Sequence, residues 1–161
     1  MEQIANIAAT EFGQMIILSL GWAGLYGALA FGAIGSMVGC AIAGKAACGA
    51  LLEAEGGYGK FIGVSALPSS QAIYGVVITL TLSNIEMNLA SAPGIFAIGI
   101  LAGIALWICA VQQGQTIAAA IRVSKAKPEV FGLSIAPAGI VEGFAIFAFI
   151  FALIVSGNIP T

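Results

Sequence analysis

The chain has 161 residues, 60% of them hydrophobic and 7% charged, with no histidine and a formal net charge of −2. A mean hydropathy of +1.09 excludes an ordinary soluble domain and defines an integral membrane protein. Five Lys and Arg residues in all leave no footprint for a nucleic-acid partner, and the net charge is too small for an acidic tail.

In chain order, the first dozen residues carry Glu2 and Glu11 but no Lys or Arg, so the basic start of a signal peptide is missing. The first apolar segment is expected to stay in the mature protein. Four such segments follow, at about Gln14 to Gly44, Phe61 to Leu82, Pro93 to Ile121 and Phe131 to Val155, each long enough to span a bilayer. Short breaks make successive spans antiparallel neighbours. The predicted fold is an all-α membrane protein of four transmembrane helices, arranged as two tandem antiparallel hairpins over residues 11–83 and 92–157.

Lys45, Lys60, Arg122, Lys125 and Lys127 fall in the first and third breaks, whereas the second carries only Glu86. By the positive-inside rule, loops 45–60 and 122–129 are cytoplasmic and both termini lie opposite. Cys40, Cys48 and Cys109 lack a C-x-x-C spacing or a histidine partner, and are read as small apolar packing residues.

The first span holds seven glycines, including the pair Gly35/Gly39, and the third holds Gly99/Gly103. Glycine is common in membrane helices, but this density weakens an isolated helix unless close packing compensates. The first and third spans are therefore expected to form an inner layer, with the second and fourth towards lipid.

The second half repeats the first. Shifting by 69 residues lays KFIGVSALPSSQAIYG (60–75) over EVFGLSIAPAGIVEGF (129–144), pairing Gly63 with Gly132, Ser65 with Ser134 and Pro68 with Pro137. Ile73 stands opposite Glu142, so only the second hairpin keeps an acid. Twenty-five helical residues in the fourth span reach roughly 37 Å against a hydrocarbon thickness of ~30 Å, which places Glu142 near the middle. A carboxylate there costs about 2.5 to 3.5 kcal/mol, so it is protonated, paired or holding an ion.

Leu67, Ser70, Gln71 and Tyr74 share one helical face by their i, i+3, i+4, i+7 spacing, presenting a hydroxyl, an amide and a phenol at membrane depth. Pro68 lacks an N–H, so the backbone is expected to distort and free carbonyl oxygens there, and Pro137 marks the same place in the repeat. Gln112, Gln113 and Gln115 lie on the third span. Singly, a buried Gln bridges helices and a proline kinks one. Together, a carboxylate, two amide oxygens, a hydroxyl and a freed carbonyl make a five-oxygen cage of net charge −1, suited to a hard monovalent cation. A proton carrier needs only the carboxyl, so the extra oxygens favour Na⁺ over H⁺.

These residues resemble the proteolipid ring subunit of V-type and A-type rotary ATPases, and most closely the sodium-translocating bacterial V-type form. The resemblance covers nearly the whole chain. It rests on AIGSMVG in the first span, on Leu67 to Tyr74, on the run from Gln113 to Glu129 with its KPE ending, and on Val141 to Ile146. It implies Na⁺ ligands at Leu67 (main-chain carbonyl), Ser70, Gln71, Gln113 and Glu142, with the Tyr74 hydroxyl supporting the acid. Ser70 replaces a Thr of that pattern and Gly143 stands where a Thr follows the Glu, departures that bear on affinity. The family further implies a ring of identical copies, turning in lipid against a static membrane subunit that holds a basic residue. Central-stalk subunits are expected at the cytoplasmic loops, and catalysis elsewhere, since no P-loop is present. The same ring carrying H⁺, a four-helix multidrug antiporter and a purely structural tetraspan protein are the competing readings.

Overall fold

The computed structural model describes residues 10–160, and the reading made on Glu2 and its neighbours lies outside them. Thr10 begins the first helix as an N-cap, its side-chain oxygen accepting the Gly13 N–H at 3.1 Å, with Glu11 at the positive end of the helix dipole. This helix, α1, runs Glu11–Leu51. At Gly57 the backbone enters the left-handed region, with φ of 72°, and the chain turns into α2, Tyr58–Ser65. A 3-10 turn, Leu67–Ser69, separates α2 from α3, Ser70–Ser83, and the two make one span. The third span is α4, Ala92–Ala126; a second 3-10 turn, Pro128–Val130, leads into α5, Phe131–Ser156. All four spans are long and apolar enough to cross a membrane, so the chain is a multi-pass membrane protein.

Two boundaries differ from expectation. The first and third helices run on past Gly44 and Ile121, through Lys45, Arg122 and Lys125. Hydropathy marks where a helix leaves oil, whereas backbone bonding ends only at a turn signal. With 41 and 35 residues, α1 and α4 reach about 61 and 52 Å, well beyond the bilayer core. Their far ends are tied by Lys125 Nζ on Glu53 Oε2 at 2.7 Å. Beside them Lys60 Nζ sits 5.0 and 4.9 Å from the ring centres of Phe61 and Phe131, at the starts of the second and fourth spans. All five basic residues therefore gather around one end of the molecule.

The inner layer is α1 against α4. A Cβ on Gly35 would come within 2.5 Å of Trp107 Cα, and one on Gly103 within 2.7 Å of the Gly27 carbonyl oxygen. On Gly24, Gly39, Gly99 and Gly114 it would run into the facing backbone. The expected close approach of the two glycine-rich spans is thus realised, with no room for a methyl at these positions, though Gly44 and Gly49 of α1 face open space. The second span packs on α1 and α5 packs on α4, whereas the Cα atoms of α1 and α5 come no closer than 8 Å among the described residues. On α5, Leu133, Ile140, Phe144, Phe147, Phe151 and Ile154 form an exposed apolar stripe. Cys48 departs from its expected packing role: it is exposed, while Cys40 and Cys109 are half-buried.

Two apolar clusters fill the interior. One holds Ala43, Ala47, Phe61, Ile117, Ile121 and Ala138, towards the basic end. The other holds Ala28, Ile78, Ile95, Leu106, Ala145 and Ala152. On α4 and α5 the polar residues Gln113 and Glu142 fall between them.

Candidate ion-binding site

Glu142 on α5 is half-buried and takes four hydrogen bonds from two other spans. Ser70 Oγ, Gln71 Nε2 and Gln113 Nε2 donate to Oε2 at 3.0, 2.9 and 2.8 Å. Tyr74 OH donates to Oε1 at 2.6 Å. Each bond to a charged acceptor contributes about 1.5 to 3 kcal/mol, so together they offset the cost of a carboxylate at membrane depth. Gln71 and Gln113 are fully buried, at 0% and 2% exposure, whereas Ser70, Tyr74 and Glu142 retain access from one flank.

The second span delivers three of these side chains because of Pro68. Pro68 has no N–H to donate to the Val64 carbonyl, and at this place the chain closes a 3-10 turn. Leu67 O then accepts the Ser70 N–H and lies 3.1 Å from Ser70 Oγ, an alternative acceptor to Glu142 Oε2 for the single hydroxyl proton. This puts the Leu67 carbonyl, Ser70 Oγ and the Gln71 side chain at the start of α3, facing α5. Pro137 behaves differently from its repeat partner, since α5 runs through it without a change of helix type. The distortion that delivers ligands belongs to Pro68.

The two glutamines are locked together, Gln71 Nε2 donating to Gln113 Oε1 at 3.1 Å. Gln113 Nε2 also reaches Ala138 O at 3.4 Å. Gln71 Oε1 lies 3.3 Å from Ser70 Oγ. Rotating an amide by half a turn exchanges its nitrogen for its oxygen at the same place. The pair can thus donate to a bare carboxylate or turn oxygens towards a cation held against it. Leu67 O, Ser70 Oγ, two amide oxygens and the carboxylate form a compact group of hard oxygen donors around one negative charge.

All of Leu67, Ser70, Gln71, Tyr74, Gln113 and Glu142 therefore meet in one cluster. Gln112 and Gln115 do not join it and are exposed on α4. Phe144, next to the acid in sequence, points outward at 63% exposure. The aromatic neighbour is Phe149, whose ring stacks on Tyr74 at 5.0 Å and 20°. It lies seven residues beyond Glu142, two turns along the same face, a spacing that could have revealed it. Ser36 on α1, one of the small residues of the first span, does more than allow close packing: its hydroxyl accepts the Ala72 N–H at 2.9 Å.

The family model for the C subunit of ATP synthase matches residues 22–82 and again 96–155, one copy for each hairpin. The chain belongs to the ATP synthase C-subunit family. Within that family it has the duplicated, four-helix form of V/A-type proteolipids. It is 35% identical over 139 residues to the A-type ATP synthase subunit K of Methanocaldococcus jannaschii, a match over 83% of this chain and 62% of that relative's length. It is 29% identical over 152 residues to the V-type sodium ATPase subunit K of Enterococcus hirae, over 92% and 96% of the two lengths. Members of this family form rings of identical copies and move ions through the membrane part of an ATPase, with no catalytic chemistry of their own. The antiporter and structural tetraspan readings fall with that membership.

Proposed function

We propose that this protein carries Na⁺ at Glu142 through a rotating ring, with Leu67 O, Ser70 Oγ, the amide oxygens of Gln71 and Gln113, and the Glu142 carboxylate as ligands. The observation that carries the reading is the convergence of Ser70, Gln71 and Gln113 on Glu142 Oε2, where a proton would need one acceptor only. The name of the Enterococcus hirae relative, a sodium ATPase subunit, weighs the same way.

The path follows from where the site is open. Apolar clusters above and below the polar residues keep water from running along the long axis of the protomer, so an ion enters and leaves from the flank. A bare carboxylate is costly in lipid, whereas a neutral Glu–Na⁺ unit travels at little cost. Release requires a competing cation, and a basic residue on a static neighbouring protein supplies one. Tyr74 steadies the acid in both states, since its hydroxyl uses Oε1 and leaves Oε2 to the ligands. The basic end of the chain is the cytoplasmic one and meets the central stalk, and both termini lie on the opposite side.

The test is protection of Glu142 from a carbodiimide at alkaline pH. Millimolar Na⁺ slows the modification while K⁺ at equal ionic strength does not. Equal rates in the two salts would leave the same ring carrying H⁺.

A further inference from the structure

The first span contributes no side chain to the bonds around Glu142, yet it holds the segment that does. The α-helix of the second span restarts at Ser70, so the Ala72 N–H lies in a first turn, where its own helix offers no carbonyl four residues back. The residue in the N-cap position, Ser69, makes no side-chain cap. Ser36 of α1, 6% exposed, accepts that N–H instead at 2.9 Å. It caps α3 from another helix. Gly32, one turn before Ser36, lies where a Cβ would stand 2.7 Å from the Gln71 carbonyl oxygen. Gly39, a turn after it, would place a Cβ 2.8 Å from Pro68 Cβ. Positions 32, 36 and 39 share one face of α1, which therefore grips residues 68–72, the stretch carrying Ser70 and Gln71.

We propose that Ser36 is a positioning residue of the ion site, setting the start of α3 so that Ser70 and Gln71 reach Glu142. The inference rests on the ion-carrying reading of Glu142. Without the hydroxyl, this part-buried N–H at membrane depth loses its acceptor, with no water in lipid to replace it. The first turn of α3 relieves it by rewinding towards the Pro68 carbonyl, and each degree of rewinding swings the two side chains away from the acid.

The experiment compares wild-type rings with Ser36→Ala, Ser36→Thr and, as a control, Ser19→Ala on the exposed face of α1. The readouts are ring assembly on a native gel and the Na⁺ concentration that half-protects Glu142 from carbodiimide. In assembled S36A rings that concentration rises about fivefold, the equivalent of one lost N-cap. S36T, which keeps the acceptor, and S19A stay near wild type. A wild-type midpoint in S36A overturns the proposal. Should S36A rings fail to assemble, Ser36→Cys, a weaker acceptor, gives an intermediate midpoint, and a wild-type value there overturns it equally. Should wild-type Glu142 show no Na⁺ protection, the sodium reading itself has failed. The same variants are then compared by the pH of half-maximal labelling: a shift in S36A upholds the positioning role and no shift removes it.

Discussion

At Glu142 the four donors divide unequally, three on Oε2 and one on Oε1, and the two groups have different consequences when lost. Replacing Gln113 by Leu removes a buried proposed ligand and leaves Gln71 Nε2 without its partner Oε1, so Na⁺ protection is expected to weaken by well over tenfold. Tyr74→Phe removes the 2.6 Å bond to Oε1 but no proposed ligand, while the ring still stacks on Phe149. Its half-protecting Na⁺ concentration rises about tenfold, in line with one hydrogen bond to a charged group. The two substitutions are told apart by titrating carbodiimide protection, and equal losses would contradict the division of roles between the oxygens. The identities of these residues were legible from one helical stripe and one lone acid. Which of three nearby glutamines turns inward was not, because Gln112, Gln113 and Gln115 differ only in the azimuth that packing assigns them.

Two breaks of regularity govern the elements. In the second span the 3-10 turn at Leu67–Ser69 falls at Pro68, which cannot donate, and α3 restarts with its donors and acceptors in the site. Pro68→Ala restores the N–H and lets α2 run into α3. The protein still assembles, and Na⁺ protection falls at least tenfold as Ser70 and Gln71 rotate off the acid; unchanged protection with a continuous helix would refute this. In the first and third spans, glycine substitutes for a break by permitting contact. Gly99→Ala drives a methyl into the Gly24 carbonyl and costs about 1 to 3 kcal/mol, read as loss of the ring on native gels. Gly49→Ala meets nothing within 4 Å and is expected to assemble normally, gaining helix propensity. Sequence density identified the glycine-rich spans as partners. It could not distinguish Gly99 from Gly49, since only the opposing backbone makes one indispensable and the other free.

For the whole molecule, asymmetry is the main fact. Glycine and alanine line the contact of α1 with α4, while α5 turns Leu133, Ile140, Phe144, Phe147, Phe151 and Ile154 outward. A lone protomer leaves this stripe bare, a face that neighbouring copies and lipid would cover in the proposed ring. On the proposed reading Na⁺ binds only the folded ring and so stabilises it by mass action. Melting of detergent-solubilised rings should therefore shift upward by several degrees in 100 mM NaCl relative to KCl. Glu142→Gln rings should lose that difference while still migrating as one large species. A salt response that survives the E142Q change would place the ion elsewhere.

Periodicity and composition by themselves determined that four spans form two related hairpins, that one acid lies at depth, and that Ser70, Gln71 and Tyr74 share its side of a helix. These are local properties, dictated by the 3.6-residue repeat and by the cost of a charge in oil. Contact between helices decided the rest. It chose Gln113 from its neighbours and brought Ser36 to Ala72. Those outcomes depend on atoms separated by tens of residues, whose distances no local pattern encodes.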